Sequence, residues 1–237
     1  MQVVILAGGI GTRMSQESPG IPKALIPVNG RPFIEHQFDL LAGQGMTDVL
    51  LCIGHLGDMI ESHVGDGSSW GVSVAYCHED PMQLLGTGGA LLNAMDQLDE
   101  TFFTLYGDSY LTVDYEAVVE SFFGSSDAAL MCVCRNEGKW DTSNARVDDG
   151  RVVLYSKTAS PDEVDCIDYG LTGFHRDQLE IYLDSEMPLD LARIQGDLVE
   201  AGQMRAFEVK ERFYEIGKPE GLQELEAYLK GENLNRR

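Results

Sequence analysis

Basic residues are scarce in this chain. Lys and Arg number 17 against 39 Asp and Glu, a net charge of −22 over 237 residues. Such a surface repels phosphate backbones and anionic lipid, which argues against nucleic acid and membrane as partners. Long apolar runs are missing too, and nothing approaches the roughly 20 residues that span a bilayer. The N-terminus carries no basic stretch followed by an apolar one, so no secretory signal is expected. Cysteine is sparse. Cys52, Cys77, Cys132, Cys134 and Cys166 are odd in number, scattered and mostly set in apolar runs. That is the pattern of reduced thiols in a cytoplasmic protein, not of a disulfide scaffold. Cys132-Val133-Cys134 lacks the spacing and the second pair that zinc requires. His36, His55, His63, His78 and His175 show neither metal spacing nor triad partners and read as structural. Repeats, low-complexity tracts and linkers are absent. What is left is an ordinary globular composition, 43% hydrophobic and 24% charged, with length enough for one large domain.

What is present is an alternation of two periods. Val3–Leu6, Val49–Ile53, Val72–Tyr76, Phe102–Tyr106 and Ala128–Cys134 are apolar runs of strand length. Between them lie helical stripes: one started by Pro32, one around Asp58–His63, one opened by Gly86-Thr87-Gly88-Gly89, and one over Asp114–Phe123. The alternation predicts a Rossmann-like, doubly wound α/β fold, with a mostly parallel sheet and helices on both faces. After about Asn136 the pattern changes. Asn144–Val147 and Arg151–Tyr155 flank Asp148-Asp149-Gly150, a hairpin signal. Gly170–His175 reads as a strand, and helices return at Leu189–Val199 and Gly221–Leu229. The second half is expected to elaborate the same domain.

In open α/β sheets, ligands bind outside the carboxyl ends of the strands. Three loops of unusual composition fall there: Gly8–Arg13, Gly86–Gly89 and Gly107-Asp108. The first belongs to LAGGIGTRM, Leu6 to Met14. It is not a P-loop, because no Lys-Ser or Lys-Thr follows its glycines. It is a poor dinucleotide fingerprint as well, since Met14 stands where close helix packing needs a small residue. Pro19, Gly20 and Pro22 keep a helix from starting promptly. An anion here must be held by loop amides and by side chains, with Arg13 and Lys23 as the candidates.

LAGGIGTRM, then Ile21-Pro22-Lys23-Ala24-Leu25-Ile26-Pro27-Val28 and Gly30-Arg31-Pro32, resembles the signature of the sugar-1-phosphate nucleotidyltransferases. The family pattern is roughly L-A-G-G-x-G-[TS]-R-[LM], then P-K-x-[LM]-x-P-[VI]-x-x-[RK]-P. The resemblance continues through Leu85-Gly86-Thr87-Gly88-Gly89-Ala90, Gly107-Asp108 and Tyr214-Glu215-Ile216-Gly217-Lys218-Pro219-Glu220. It looks closest to the short members acting on heptose, mannose or N-acetylmuramate 1-phosphate, without a C-terminal β-helix. It implies a single domain over residues 1–237, with a nucleotide-binding half to about residue 135 and a sugar-binding half from about 136. The implied reaction joins an NTP and a sugar 1-phosphate to an NDP-sugar and releases pyrophosphate, with Mg²⁺. Guanylyl transfer to heptose or mannose 1-phosphate is favoured. Uridylyl or thymidylyl transfer to another sugar phosphate is the rival, and a regulatory protein that binds nucleotide sugars without turnover is the rival of another class. A homo-oligomer is compatible with all three.

The roles implied by the resemblance are these. Leu6, Ala7, Gly8, Gly9, Gly11 and Thr12 let main chain reach the nucleotide. Arg13 stabilises the leaving phosphates, and Lys23 neutralises the α-phosphate or the incoming sugar phosphate. Gly86, Thr87 and Gly88 lie against the base, with Glu79 and Gln83 as further contacts. Asp108 is the first metal ligand. Relatives carry a second metal Asp in W-x-D-x-G-T-P, where this chain has Glu215; the longer side chain reaches the metal from further back, reaches it through water, or does not bind it. Lys157 meets the sugar phosphate, and Asn144, Asp168, Tyr169 and Gly170 meet the sugar. Relatives have Glu-Lys where this chain has Ser156-Lys157, so Ser replaces the Glu.

Overall fold

A computed structural model describes residues 1–9, 20–83 and 85–231. In chain order the strands are β1 (Gln2–Leu6), β2 (Pro27–Val28), β3 (Arg31–Pro32), β4 (Asp48–Ile53), β5 (Ser73–His78), β6 (Thr101–Tyr106) and β7 (Ser109–Leu111). They continue as β8 (Ala129–Arg135), β9 (Ala145–Asp148), β10 (Arg151–Tyr155), β11 (Cys166–His175), β12 (Met204–Val209) and β13 (Phe213–Glu215). The helices are α1 (Phe33–Gly43), α2 (Gly57–Val64), α3 (Gly86–Asn93), α4 (Tyr115–Phe123), α5 (Leu191–Glu200) and α6 (Pro219–Leu229).

Nine strands form one sheet in the order β5-β4-β1-β6-β11-β8-β12-β10-β9. Its first four strands are parallel, as the β-α-β alternation predicts. The expectation of a mostly parallel sheet fails in the second half. Beyond β6 only β8 and β12 run parallel; β11 is antiparallel to both β6 and β8, and β10 is antiparallel to β12 and β9. For β9 and β10 the reason is connection length. The turn Asp148-Asp149-Gly150 joins β9 to β10 directly, and a chain that short can only reverse. The sheet runs without a break through the expected boundary near residue 135, because β8 lies between β11 and β12.

Helices cover both faces. On β1, Val3 and Ile5 face α1, α2 and α4 through Phe38, Ile60 and Phe122; Val4 and Leu6 face α3 and α5 through Leu91 and Ile194. Period-two alternation along a buried strand explains why both sets are apolar. Helix α6 packs elsewhere, with Leu225 against Val28, Phe33 and Ile216. Side-chain oxygens cap two helices: Asp114 accepts from the Ala117 amide and Asp190 from the Ala192 amide.

Candidate active site

The chain leaves β1, passes to β4 and β5 on one side, and returns as β6 on the other. Between β1 and β6 the winding reverses, and a crevice opens outside their carboxyl ends. A cavity of about 480 Å³ occupies that crevice. Its walls come from Leu6 to Gly9 after β1, Glu79 after β5, Gly86 and Thr87 on α3, Tyr106 to Asp108 after β6, and Lys23.

The glycines do different jobs. A Cβ on Gly9 would meet none of the described residues within 4 Å, so the space beside it is open on their side. A Cβ on Gly8 would lie 2.9 Å from Glu79 Oε1. At Gly107 it would lie 2.9 Å from the Leu6 carbonyl, so this glycine lets β6 turn tightly past the end of β1. Gly86 has φ +76° and its Cβ would fall 2.5 Å from the Leu189 carbonyl. The amides of Gly88 and Gly89 donate to that same carbonyl at 2.8 and 3.1 Å. This corrects one expectation: Gly88 packs on Leu189 rather than lining the cavity, and its amide is already taken.

Lys23 and Asp108 form the centre of charge. Lys23 Nζ donates to Asp108 Oδ2 at 2.8 Å, with side chains 26% and 28% exposed. A short 3-10 turn, Lys23–Leu25, carries the lysine, and the turn after β6 carries the aspartate. Glu215 is brought alongside by the β7–β13 pair, in which it faces Ser109, and the Ile216 amide donates to the Asp108 carbonyl. Burial and then the charge of Asp108 push the Glu215 carboxyl above its usual range. Among the described residues no cluster of three His, Cys, Asp or Glu side chains forms a metal cage. Two neighbouring carboxylates, one raised by the other, still suit a hard cation that takes its remaining ligands from phosphate and water.

Beside the cavity, next to Tyr106 and Thr87 of its wall, lies a second group of side chains, none of which lines the cavity itself. Asp168 on β11 accepts from the Tyr155 hydroxyl at 3.1 Å and from the Gly170 amide at 2.9 Å. Its own amide donates to Asn144 Oδ1 at 2.8 Å, so Asn144 braces the strand beside Asp168. Burial raises the Asp168 carboxyl despite these bonds. Lys157 pairs with Asp190 at 2.6 Å, and Asp190 also accepts from the Thr87 hydroxyl at 3.2 Å. Burial pushes the Asp190 carboxyl up, but Lys157, the Ala192 amide and Thr87 together hold it below its usual range. Tyr169 is set apart. Its side chain is 1% exposed and packs edge-on against Phe213 in the core on the other face. Neighbouring residues of a strand point to opposite sides, so Asp168 and Tyr169 cannot share a ligand through their side chains.

Lys23, Glu79, Asp108, Leu6, Ala7, Gly8, Gly9, Gly86 and Thr87 are thus gathered at one cavity. Gln83 is exposed and does not line it. Gly11, Thr12 and Arg13 lie outside the described residues. No motif in the sequence marks Asp190, Tyr106 or Tyr155 as site residues.

An open α/β sheet with a glycine-walled cavity at its switch point is the architecture of nucleotide-binding α/β proteins. Comparison with known proteins narrows the class. The family model described as nucleotidyl transferase matches residues 2–141, and the chain belongs to that family. The D-glycero-alpha-D-manno-heptose 1-phosphate guanylyltransferase of Campylobacter jejuni is 33% identical over 114 residues, covering 48% of this chain and 50% of that one. The N-acetylmuramate alpha-1-phosphate uridylyltransferase of Neisseria meningitidis is 34% identical over 122 residues, covering 51% of this chain and 52% of that one. The chain spans about half the length of these curated relatives. The crystal structure of HddC from Yersinia pseudotuberculosis complexed with GMP-PN superposes with a TM-score of 0.81 at 25% identity, covering 96% of this chain and 99% of that one.

Proposed function

We propose that this chain is a sugar-1-phosphate nucleotidyltransferase, transferring a guanylyl group from GTP to heptose or mannose 1-phosphate. The observation that carries the reading is the Lys23–Asp108 pair beside open main chain at Gly9. The Rossmann-like first half then holds the nucleotide. An oxygen of the sugar phosphate attacks the α-phosphorus, the bond to the β-phosphate oxygen breaks, and pyrophosphate leaves with the electron pair. Such a transfer needs positioning and charge stabilisation rather than a protein nucleophile. Lys23 neutralises charge at the α-phosphate as the two polyanions meet. Arg13 is assigned the leaving phosphates. Asp108 and Glu215 would hold a Mg²⁺, which when bound neutralises phosphate oxygens. Lys157 takes the sugar phosphate, and Asp168 accepts bonds from sugar hydroxyls.

The choice of base rests on Glu79. This half-buried carboxylate, raised by burial, lines the nucleotide end of the cavity. A carboxylate only accepts hydrogen bonds. The Watson–Crick edge of guanine offers it two adjacent donors, N1–H and the 2-amino group, whereas uracil and thymine offer one. The names of the Campylobacter relative and of HddC's ligand agree with guanine; the Neisseria relative keeps uridylyl transfer as the second reading.

Pyrophosphate release with Mg²⁺, each NTP and a panel of sugar 1-phosphates tests this. GTP should be preferred, and ITP, which lacks the 2-amino group, should fall at least about tenfold behind it. UTP or dTTP turnover with GTP inert would transfer the reading to the uridylyl or thymidylyl rival. No release with any pair, beside tight binding of a nucleotide sugar, would leave a non-catalytic binding protein.

A further inference from the structure

Helix α1 turns one stripe to the core, with Ile34, Phe38 and Leu41 fully buried. Gln37 stands in that stripe, at a spacing that calls for an apolar residue, and is itself only 2% exposed. Burying an amide costs free energy unless its polar atoms are bonded. The Gln37 amide is bonded at one end. Its Nε2 donates to the Ser109 carbonyl at 2.7 Å and to the Tyr106 carbonyl at 3.2 Å. Its Oε1 is buried and has no hydrogen-bond partner among the described residues. Two carbonyl acceptors dictate which end of the amide faces them.

Those carbonyls flank Gly107 and Asp108. One NH2 group thus spans the turn from β6 into β7, whose Asp108 holds Lys23 at 2.8 Å in the cavity wall. The turn has two further anchors. The Gly107 amide donates to the Leu6 carbonyl at 3.0 Å, and the Asp108 carbonyl accepts from the Ile216 amide at 2.9 Å. These fix the turn to the chain on either side of it. Gln37 ties its two ends to each other, from a helix 69 residues away in sequence. We infer that Gln37 is a positioning residue: by clamping the main chain before and after Asp108 it sets the place of that carboxylate, and through it the place of Lys23. The effect on turnover rests on the transferase reading; the clamp does not.

Gln37→Met keeps the length and bulk of the side chain and removes both donors. Amide hydrogen exchange reads the clamp without any substrate. The Gly107 and Ile216 amides should exchange at least about tenfold faster, the scale of one lost hydrogen bond, while amides within α1 and β4 keep their rates. Gln37→Asn keeps the amide but shortens its reach by a methylene, and should speed the same two amides by a smaller factor. Unchanged exchange at Gly107 and Ile216 overturns the inference. So does exchange that quickens equally throughout α1 and β4 in both variants, which would make Gln37 an ordinary core residue. Should Gln37→Met unfold, Gln37→Asn decides alone. In turnover, Gln37→Met should lower kcat at least about tenfold while the KM for nucleotide stays within about threefold. In an Asp108→Asn background the same substitution should change kcat by less than about threefold, because the group it positions has lost its charge. An unchanged kcat, or a drop of equal size in both backgrounds, overturns the positioning role. If no acceptor turns over with any NTP, the transferase reading has failed, and the exchange rates still decide whether Gln37 holds the turn.

Discussion

The cavity, the proposed nucleotide end of the site, is walled by main chain after β1 and on α3; the proposed acceptor end beside it carries Tyr155, Asp168 and Asp190, on β10, on β11 and ahead of α5. The first end lies on parallel strands joined by helices, the second on reversing strands. Bare main chain grips any triphosphate in the same way and leaves little to vary. Side chains on independent strands can be exchanged one at a time. Under the proposed transferase reading, the split separates a fixed chemistry from an adjustable specificity.

The comparison breaks first at Asp108, in the cavity wall. Asp108→Asn should lower turnover by about a thousandfold or more, because the group that would hold the cation and fix Lys23 loses its charge. The melting temperature should shift little, since the Lys23–Asp108 pair is partly exposed and such pairs contribute at most about 1 kcal/mol. Activity within tenfold of the parent would remove Asp108 from the metal site.

Next come two glycines at the nucleotide end that ought to respond in opposite ways. Gly86→Ala places a Cβ 2.5 Å from the Leu189 carbonyl in a left-handed conformation and should destabilise the fold by about 2 kcal/mol or more. At Gly9 an added Cβ meets no atom of the described residues within 4 Å, and Gly9→Val uses that space. It should unfold like the parent yet raise the KM for nucleotide at least about tenfold, because it fills space a ligand needs. If Gly9→Val binds nucleotide normally, the open main chain there is not the binding surface.

The same contrast explains what was legible in the sequence. Lys23, Gly86 and Asp108 sit inside contiguous runs whose composition is odd on its own, so local reading finds them. Asp190 works through Thr87 and Lys157, separated from it by 103 and 33 residues, and only tertiary structure joins them. Strand β12 leaves little trace in the sequence, because Met204–Val209 mixes buried Met and Val with Arg205 and Glu208 and shows neither period cleanly. Strands β7 and β13 are three residues each and stabilise one another, too short to leave a periodic trace. Tyr169 is different: the period of two sets it on the face opposite Asp168, whereas the family resemblance gives both residues to the sugar.

The smallest expected effect lies at the acceptor end and tests whether its side chains are adjustable. Tyr155→Phe removes one hydroxyl that donates to Asp168 at 3.1 Å and leaves the ring to pack. A hydrogen bond to a carboxylate contributes about 1.5–3 kcal/mol, and partial solvent access replaces some of it, so the acceptor KM should rise only a few-fold. The KM for nucleotide should stay put. The pH profile gives a second reading. Burial already holds the Asp168 carboxyl above its usual range, and the Tyr155 hydroxyl is one of the groups opposing that rise. Without it the proton binds Asp168 more tightly, so the acid limb of acceptor kcat/KM should move to higher pH. The folded state meanwhile binds this proton more tightly than the unfolded chain. Asp168 therefore favours folding below the ordinary carboxylate range and loses that contribution as pH rises through its elevated value, and Tyr155→Phe extends that window upward. A nucleotide KM that rises with the acceptor KM, or an acid limb that does not move, would mean that the two ends of the site are not independent after all.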